Sequence, residues 1–472
     1  MLGPASYGDF NFLLYSFIQL TSFISTGNNF LATRLATNNY NKSLISFYWN
    51  YVIIALFISV LGLIIASLTS LHEVLFPNQA LINIWIIFVL AFVMLIVALL
   101  NSMSDTCGLT KYSSIATLIV RLISVCFLLI IFFIFKVKSI LGLFAYQYLL
   151  FGLLAIGLAG VLLRKKIPIY PFSVSLKETK KHIKPYFKYS SPLFLSSIII
   201  IPLSFLNRWL LQKFGGSIEQ GYFSLSNNLS SFIIIFSNSL LPLLLREFSI
   251  SYNNNDSAGM RALFLKSLYT LFAFTAYMSI FLMFQASKVI IFLGGDSFNN
   301  AILPVSIMIL YPIPYIVNNI LYAVLNSTNR TKLLSNVSII LNSLGVIFLF
   351  ILIAPNKFYG LGLGAVGYAI YSVTITSIIS LVMLIFCVSI LKLSWIKIII
   401  NQLIVLIIFL TLGYLAVTIG DYVTINIFFS FILSGCLYTL AVFTVFLQIP
   451  TLFGISFSEI IGMVKKRLSN SA

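Results

Sequence analysis

Charge is what this sequence has least of. Of 472 residues only 8% are Asp, Glu, Lys or Arg, against 60% hydrophobic, and so little polar surface cannot cover a water-soluble globule of this length. Acids are scarcer than bases: ten carboxylates face 28 Lys and Arg, for a net charge of +18. None of the ten falls in the middle of an apolar run. A carrier that exports cations against protons or sodium ordinarily uses a buried carboxylate, so that class is disfavoured. The two histidines, His72 and His182, are assigned to opposite sides of the membrane, and the four cysteines show no Cys-x-x-Cys and no neighbouring His. No metal site is expected, and Cys107, Cys126, Cys387 and Cys436 read as small apolar core residues. No Gly-x4-Gly-Lys-Ser/Thr phosphate loop occurs and the loops are short, which excludes transport driven by nucleotide bound to this chain. No cofactor is expected.

What the chain does have is apolar runs of membrane length, about 20 helical residues each. They lie at 10–30, 45–68, 81–101, 114–135, 140–163, 189–212, 222–245, 264–284, 301–326, 333–354, 363–390, 397–418 and 424–447. Alternating ten-residue segments are lacking, which favours helices over a barrel. The expected fold class is all-α, a polytopic transmembrane bundle of 13 spans. Basic residues are spread among the loops instead of gathered on a soluble domain, so nucleic acid is not an expected partner. Threading the loops alternately puts most of them on one side, including Arg34, Lys111, the stretch 164–188, Arg246, Arg261, Arg330 and Lys465-Lys466-Arg467. The positive-inside rule makes that side, and with it the C-terminus, cytoplasmic.

The chain repeats itself. Gly3, Gly8, Phe10 and Arg34 recur at nearly the same spacing as Gly216, Gly221, Phe223 and Arg246, and Ala98-Leu99-Leu100-Asn101-Ser102 recurs as Ala323-Val324-Leu325-Asn326-Ser327. Two parallel copies of one unit are expected, enclosing a central cavity that rocks between the two faces. The second copy has a span, 189–212, ahead of its glycine turn, whereas the first has only Met1 and Leu2 there; a first helix reads as missing and a fourteenth is expected upstream. The resulting organisation is an N-terminal lobe at 1–163, a basic cytoplasmic linker at 164–188, a C-terminal lobe at 189–390, and two extra spans with a basic tail at 391–472. Pro192 and Pro202 in the sixth span, and Pro304, Pro312 and Pro314 in the ninth, are expected to bend helices around the cavity. In the linker, Ser175-Leu176-Lys177-Glu178 has capping-box spacing, and Leu176, Ile183 and Phe187 form an apolar stripe. An interfacial helix held by anionic membrane lipids accounts for both.

Cations inside the spans are the sharpest functional signal. Arg121 falls near the midplane, where its charge costs about 2.5–3.5 kcal/mol and calls for a polar cavity, a partner or snorkelling to the surface. Arg208, with Asn207 beside it, lies toward the outer end of the sixth span. Arg34 and Arg246 are repeat-equivalent span ends that suit a cytoplasmic entry. Interior cations without interior acids suit an anionic substrate, with phosphate the obvious class. Tyr15, Gln19, Asn28, Asn29, Asn227, Asn228, Asn318 and Asn319 are polar positions that either line a cavity or bond helix to helix.

Leu2-Gly3-Pro4-x-x-Tyr7-Gly8-x-Phe10, with Gly216-x4-Gly221-Tyr222-Phe223 and Gly362-x-Gly364-Ala365-Val366-Gly367, resembles the glycine turns of the polysaccharide-export, O-antigen lipid-linked oligosaccharide flippases of the MOP exporter superfamily. The resemblance implies translocation of an undecaprenyl-diphosphate-linked glycan to the outer leaflet of a bacterial inner membrane, with polysaccharide assembly enzymes as further partners. That family commonly carries Asp-Arg where this chain has Asn207-Arg208, so the Arg is kept and the Asp is not. Two other readings stand beside it: a cation or drug exporter of the same superfamily, and a membrane-embedded oligosaccharide polymerase or ligase. The first wants buried acids, and the second wants a large outer loop.

Overall fold

The computed structural model describes residues 3–25, 42–134, 139–167, 169 and 180–454. Among them every regular element is helical. The long helices, numbered here in chain order, are α1 Pro4–Ser25, α2 Lys42–Leu68, α3 Leu81–Thr106, α4 Thr110–Leu129, α5 Ile140–Arg164 and α6 Ile183–Asn253, followed by α7 Ser257–Phe284, α8 Pro312–Ser327, α9 Thr331–Ile353, α10 Gly364–Leu391, α11 Trp395–Val423 and α12 Ile427–Gln448. Eleven helical segments of the described residues are long and apolar enough to cross a bilayer, among them Ser197–Asn253 within α6. Gly216, at φ +74°, is the single non-helical residue inside α6, so that helix carries both the sixth and the seventh expected spans. The chain is a multi-pass helical membrane protein.

The N-terminal glycine motif is a helix start and not a turn. Pro4 opens α1, where its missing N–H costs nothing, and Gly8 lies in the second turn. What Gly8 provides is closeness: a Cβ there would stand 1.9 Å from the Ser217 carbonyl oxygen, and one at Gly221 would stand 2.1 Å from that of Pro4. The two repeat-related glycines let α1 and the α6 elbow touch backbone to backbone. The proline expectations divide. The ninth span breaks between Ile302–Met308 and Pro312–Ser327, with Pro312 at the first position of α8. Helical torsions persist through Pro192 and Pro202.

Packing separates the chain into two compact units, Met1–Gly221 and Tyr222–Ala472. In the first, α1, α2, α3 and α5 enclose a core that includes Phe12, Leu13, Ile45 and Ile84, all inaccessible. The end of the linker docks on α2: Ser43 Oγ lies 2.8 Å from His182 Nε2, and buried Tyr186 packs on Phe47 and Tyr51 with ring centroids 5.5 and 5.2 Å away. Ile183 and Phe187, the described part of the apolar stripe, remain exposed; Ser175 to Glu178, Arg34, Asn28, Asn29 and the Lys465-Lys466-Arg467 tail lie outside the described residues.

In the second unit α7 is central, and the last two helices dock on it. Tyr438 of α12 stacks on Tyr277 and Phe281 at 5.1 and 5.7 Å. Lys288 forms an ion pair with Asp421 of α11 and donates to Ser430 of α12 at 2.8 Å. The repeat is visible in each unit separately. Leu99-Leu100 and Val324-Leu325 are buried near the ends of α3 and α8, each helix is followed by a tight turn with a positive φ at Gly108 or Asn329, and Thr110-Lys111 and Thr331-Lys332 open the next helix.

Candidate functional site

On α4 the residues Thr110, Ser114, Thr117 and Arg121 recur every three or four positions, so at 100° per residue they share one narrow face. Neighbouring faces do other work. Val120 and Ala116 pack toward Gly157 of α5, where a Cβ would sit 3.8–3.9 Å from them, and Ile115, Ile119 and Leu122 are exposed apolar side chains suited to lipid. The polar face, joined by Ser113 and Leu118 and by Asn101 and Asp105 from the last turns of α3, lines a cleft of about 350 Å³. Arg121 lines it about 16 Å along α4 from Thr110, at 1.5 Å per residue. Its guanidinium is exposed and makes no hydrogen bond or ion pair with any described residue. A guanidinium presents five donors in a planar fork, the geometry that suits a phosphate-like anion. The hydroxyl stripe was legible at helical spacing, and the sequence reading passed over it for the one charged residue.

Arg208 is placed differently. It is 5% exposed, and its guanidinium lies over the Tyr15 ring, 4.6 Å from the centroid. Within the first unit, Phe205, Arg208, Trp209 and Gln212 form one face of α6 that seats against the earlier helices: Phe205 meets Phe76 at 6.3 Å and Trp209 Nε1 donates to the Val74 carbonyl at 2.7 Å. Beside them Asp9 Oδ1 accepts from Gln79 Nε2 and Ser217 Oγ at 2.5 Å each, and from fully buried Gln212 Nε2 at 3.5 Å. Asp9 is thus a hub that binds α1 to the α6 elbow, a role its span-end position did not announce.

Asn207 is half-buried next to Arg208, and Arg246 is 71% exposed, 3.9 Å from Glu247. Asn318 donates to the Thr376 carbonyl at 3.3 Å and Asn319 to Asn238 Oδ1 at 3.0 Å, so both bond helix to helix.

The fold has solved counterparts. A multidrug resistance MATE family transporter of the MOP superfamily, in its inward-facing conformation, matches with a TM-score of 0.65 at 14% identity, covering 83% of this chain and 92% of that one. The lipid II flippase MurJ, in an inward closed conformation, matches with a TM-score of 0.62 at 13% identity, covering 94% and 97%. At such identities the likeness establishes the fold alone. No curated protein matches the chain in sequence. A family model described as polysaccharide biosynthesis protein matches residues 1–245, just over half of the 472, and the chain belongs to that family.

Proposed function

We propose that this protein is a flippase that carries an undecaprenyl-diphosphate-linked oligosaccharide, an O-antigen or other surface-polysaccharide repeat unit, to the outer leaflet of a bacterial inner membrane by alternating access. The observation that carries the reading is Arg121: a guanidinium that bonds no described residue and lines a cleft with the hydroxyls of Thr110, Ser114 and Thr117 on one face of an apolar helix. A cation so placed costs several kcal/mol unless water or an anion meets it, and a diphosphate supplies the anion. Every described carboxylate lies in a connection, within about two turns of a helix end or, as Glu219 does, beside the Gly216 elbow of α6, and Asp9 already accepts three hydrogen bonds. That distribution suits an anionic cargo better than a cationic one. The polyprenyl tail stays in lipid, and the basic ends of the spans, the linker and the tail face the cytoplasm. The lobes of this reading are 1–163 and 189–390, joined by the linker 164–188 and followed by two extra spans and a basic tail at 391–472.

The driving force follows from charge. An anion leaving a negative compartment gains about 2.3 kcal/mol per charge per 100 mV, so a doubly charged diphosphate gains about 4–5 kcal/mol. In reconstituted vesicles under a clamped potassium diffusion potential, transfer of labelled lipid-linked glycan should accelerate when the source side is negative. A rate indifferent to the sign rejects this coupling, and acceleration with the source side positive favours the cation-exporter reading.

A further inference from the structure

In α8, Pro312–Ser327, every residue except Tyr315, Asn318, Asn319, Tyr322 and Asn326 is buried. Those five recur at three- or four-residue spacing, so the whole accessible face of the helix is tyrosine and asparagine. A face turned to hydrocarbon would carry Leu, Ile or Phe, as the exposed Ile347 and Ile351 of α9 do. Tyr322 is 44% exposed; the Tyr315 and Tyr322 hydroxyls and the Asn326 amide bond no described residue. Asn238 of α6 extends the face through its bond with Asn319. No charged residue occurs anywhere in 302–327. The stripe from Tyr315 to Asn326 runs about 16 Å at 1.5 Å per residue, the length of a short oligosaccharide.

The repeat shows that this face is particular to the second unit. Aligned on Asn101 and Asn326, the α3 positions matching Tyr315, Asn318, Asn319 and Tyr322 are Leu90, Val93, Met94 and Val97, all apolar. Conversely, aligned on Thr110-Lys111 and Thr331-Lys332, the α9 position matching Arg121 is Asn342, a neutral amide bonded to the Ser338 carbonyl at 2.7 Å. One unit bears the cation and the other bears a neutral aromatic and amide stripe.

Building on the flippase reading, we infer that the α8 stripe binds the glycan of the cargo. Pyranose rings present apolar C–H faces that stack on Tyr, and their hydroxyls pair with Asn amides, while an uncharged surface offers nothing to the diphosphate. Sugar selectivity then resides in Tyr315, Tyr322 and Asn326, with Asn319 held against Asn238 beside them.

The test uses the full chain in lipid nanodiscs and three probes: polyprenyl diphosphate, the same lipid carrying a neutral trisaccharide, and a panel of free neutral trisaccharides read by saturation-transfer NMR. Tyr315→Ala and Tyr322→Ala should each weaken the glycan-bearing lipid about tenfold, or about 1.4 kcal/mol. They should also abolish the free-sugar signal while leaving the bare diphosphate lipid bound as in the wild type. Tyr322→Phe should keep most of the sugar binding. Variants that retain the sugar-dependent gain, variants that lose both lipids in proportion, or a wild type with no sugar signal across the panel overturn the inference. A wild type that holds free sugar at the stripe and ignores the diphosphate lipid upholds the stripe and defeats the flippase reading instead.

Discussion

A methyl group added at Gly8 meets a backbone, and one added at Gly160 meets nothing. A Cβ at Gly8 would lie 1.9 Å from the Ser217 carbonyl oxygen and 2.7 Å from the Gly221 nitrogen, while no heavy atom comes within 4 Å at Gly160. Both glycines sit inside helices, α1 and α5, where replacing Gly by Ala favours the helix by about 1 kcal/mol. At Gly160 that gain stands alone. At Gly8 the obstructing oxygen belongs to the main chain and cannot rotate aside, so α1 must retreat by about 1.5 Å to restore ordinary contact. The same retreat stretches the Ser217–Asp9 bond from 2.5 Å to about 4 Å, beyond hydrogen-bond range. A hydrogen bond to a charged group contributes about 1.5–3 kcal/mol and overpacking costs about 1–3 kcal/mol. After the helix gain, Gly8→Ala is expected to destabilise by about 1.5–5 kcal/mol, and Gly160→Ala to stabilise by up to about 1 kcal/mol. Unfolding by SDS titration in mixed micelles compares the two directly. Equal stabilities would refute the close approach of α1 to the α6 elbow.

Charge substitutions separate structural from functional cations. Arg208→Gln removes a buried guanidinium from the Tyr15 face and should cost about 2 kcal/mol in the same unfolding assay. Because the Arg121 guanidinium bonds no described residue, Arg121→Gln should leave stability within about 0.5 kcal/mol of wild type yet slow lipid-linked glycan transfer about tenfold, with Arg121→Lys intermediate because it keeps charge but not the fork. A transport rate unchanged in Arg121→Gln removes the anion site from the account. At Lys288, whose side chain is 12% exposed, Asp421→Asn should destabilise by about 1–2 kcal/mol, discounted because Asp421 is half exposed. The pair Lys288→Met with Asp421→Leu should recover most of that loss, and a double variant no more stable than Asp421→Asn would contradict the ion-pair explanation.

How much the sequence disclosed depended on the range of the interaction. Hydropathy finds the spans because each helix must satisfy its own backbone in lipid whatever surrounds it. The α4 and α8 stripes were equally local: Thr110, Ser114, Thr117 and Arg121, like Tyr315, Asn319, Tyr322 and Asn326, declare a shared face by spacing alone. Gly8 and Gly221 were legible as important but ambiguous in kind, since a small residue serves a turn and a close approach equally; Gly216 turned out to make the turn. Arg208 shows the limit. Nothing within its own span reveals that Tyr15, in a different helix, lies beneath its guanidinium. The Asp9 hub is likewise assembled from α1, the segment after α2 and both limbs of α6, and no local pattern predicts it.

The most direct measurement is the fate of a labelled glycan on polyprenyl diphosphate placed in one leaflet of vesicles containing the purified protein. The label is expected to reach the opposite leaflet with its mass unchanged, at a rate that falls when Arg121 is replaced by Gln. A label that stays in its leaflet, or that grows into a longer chain, would contradict the flippase reading.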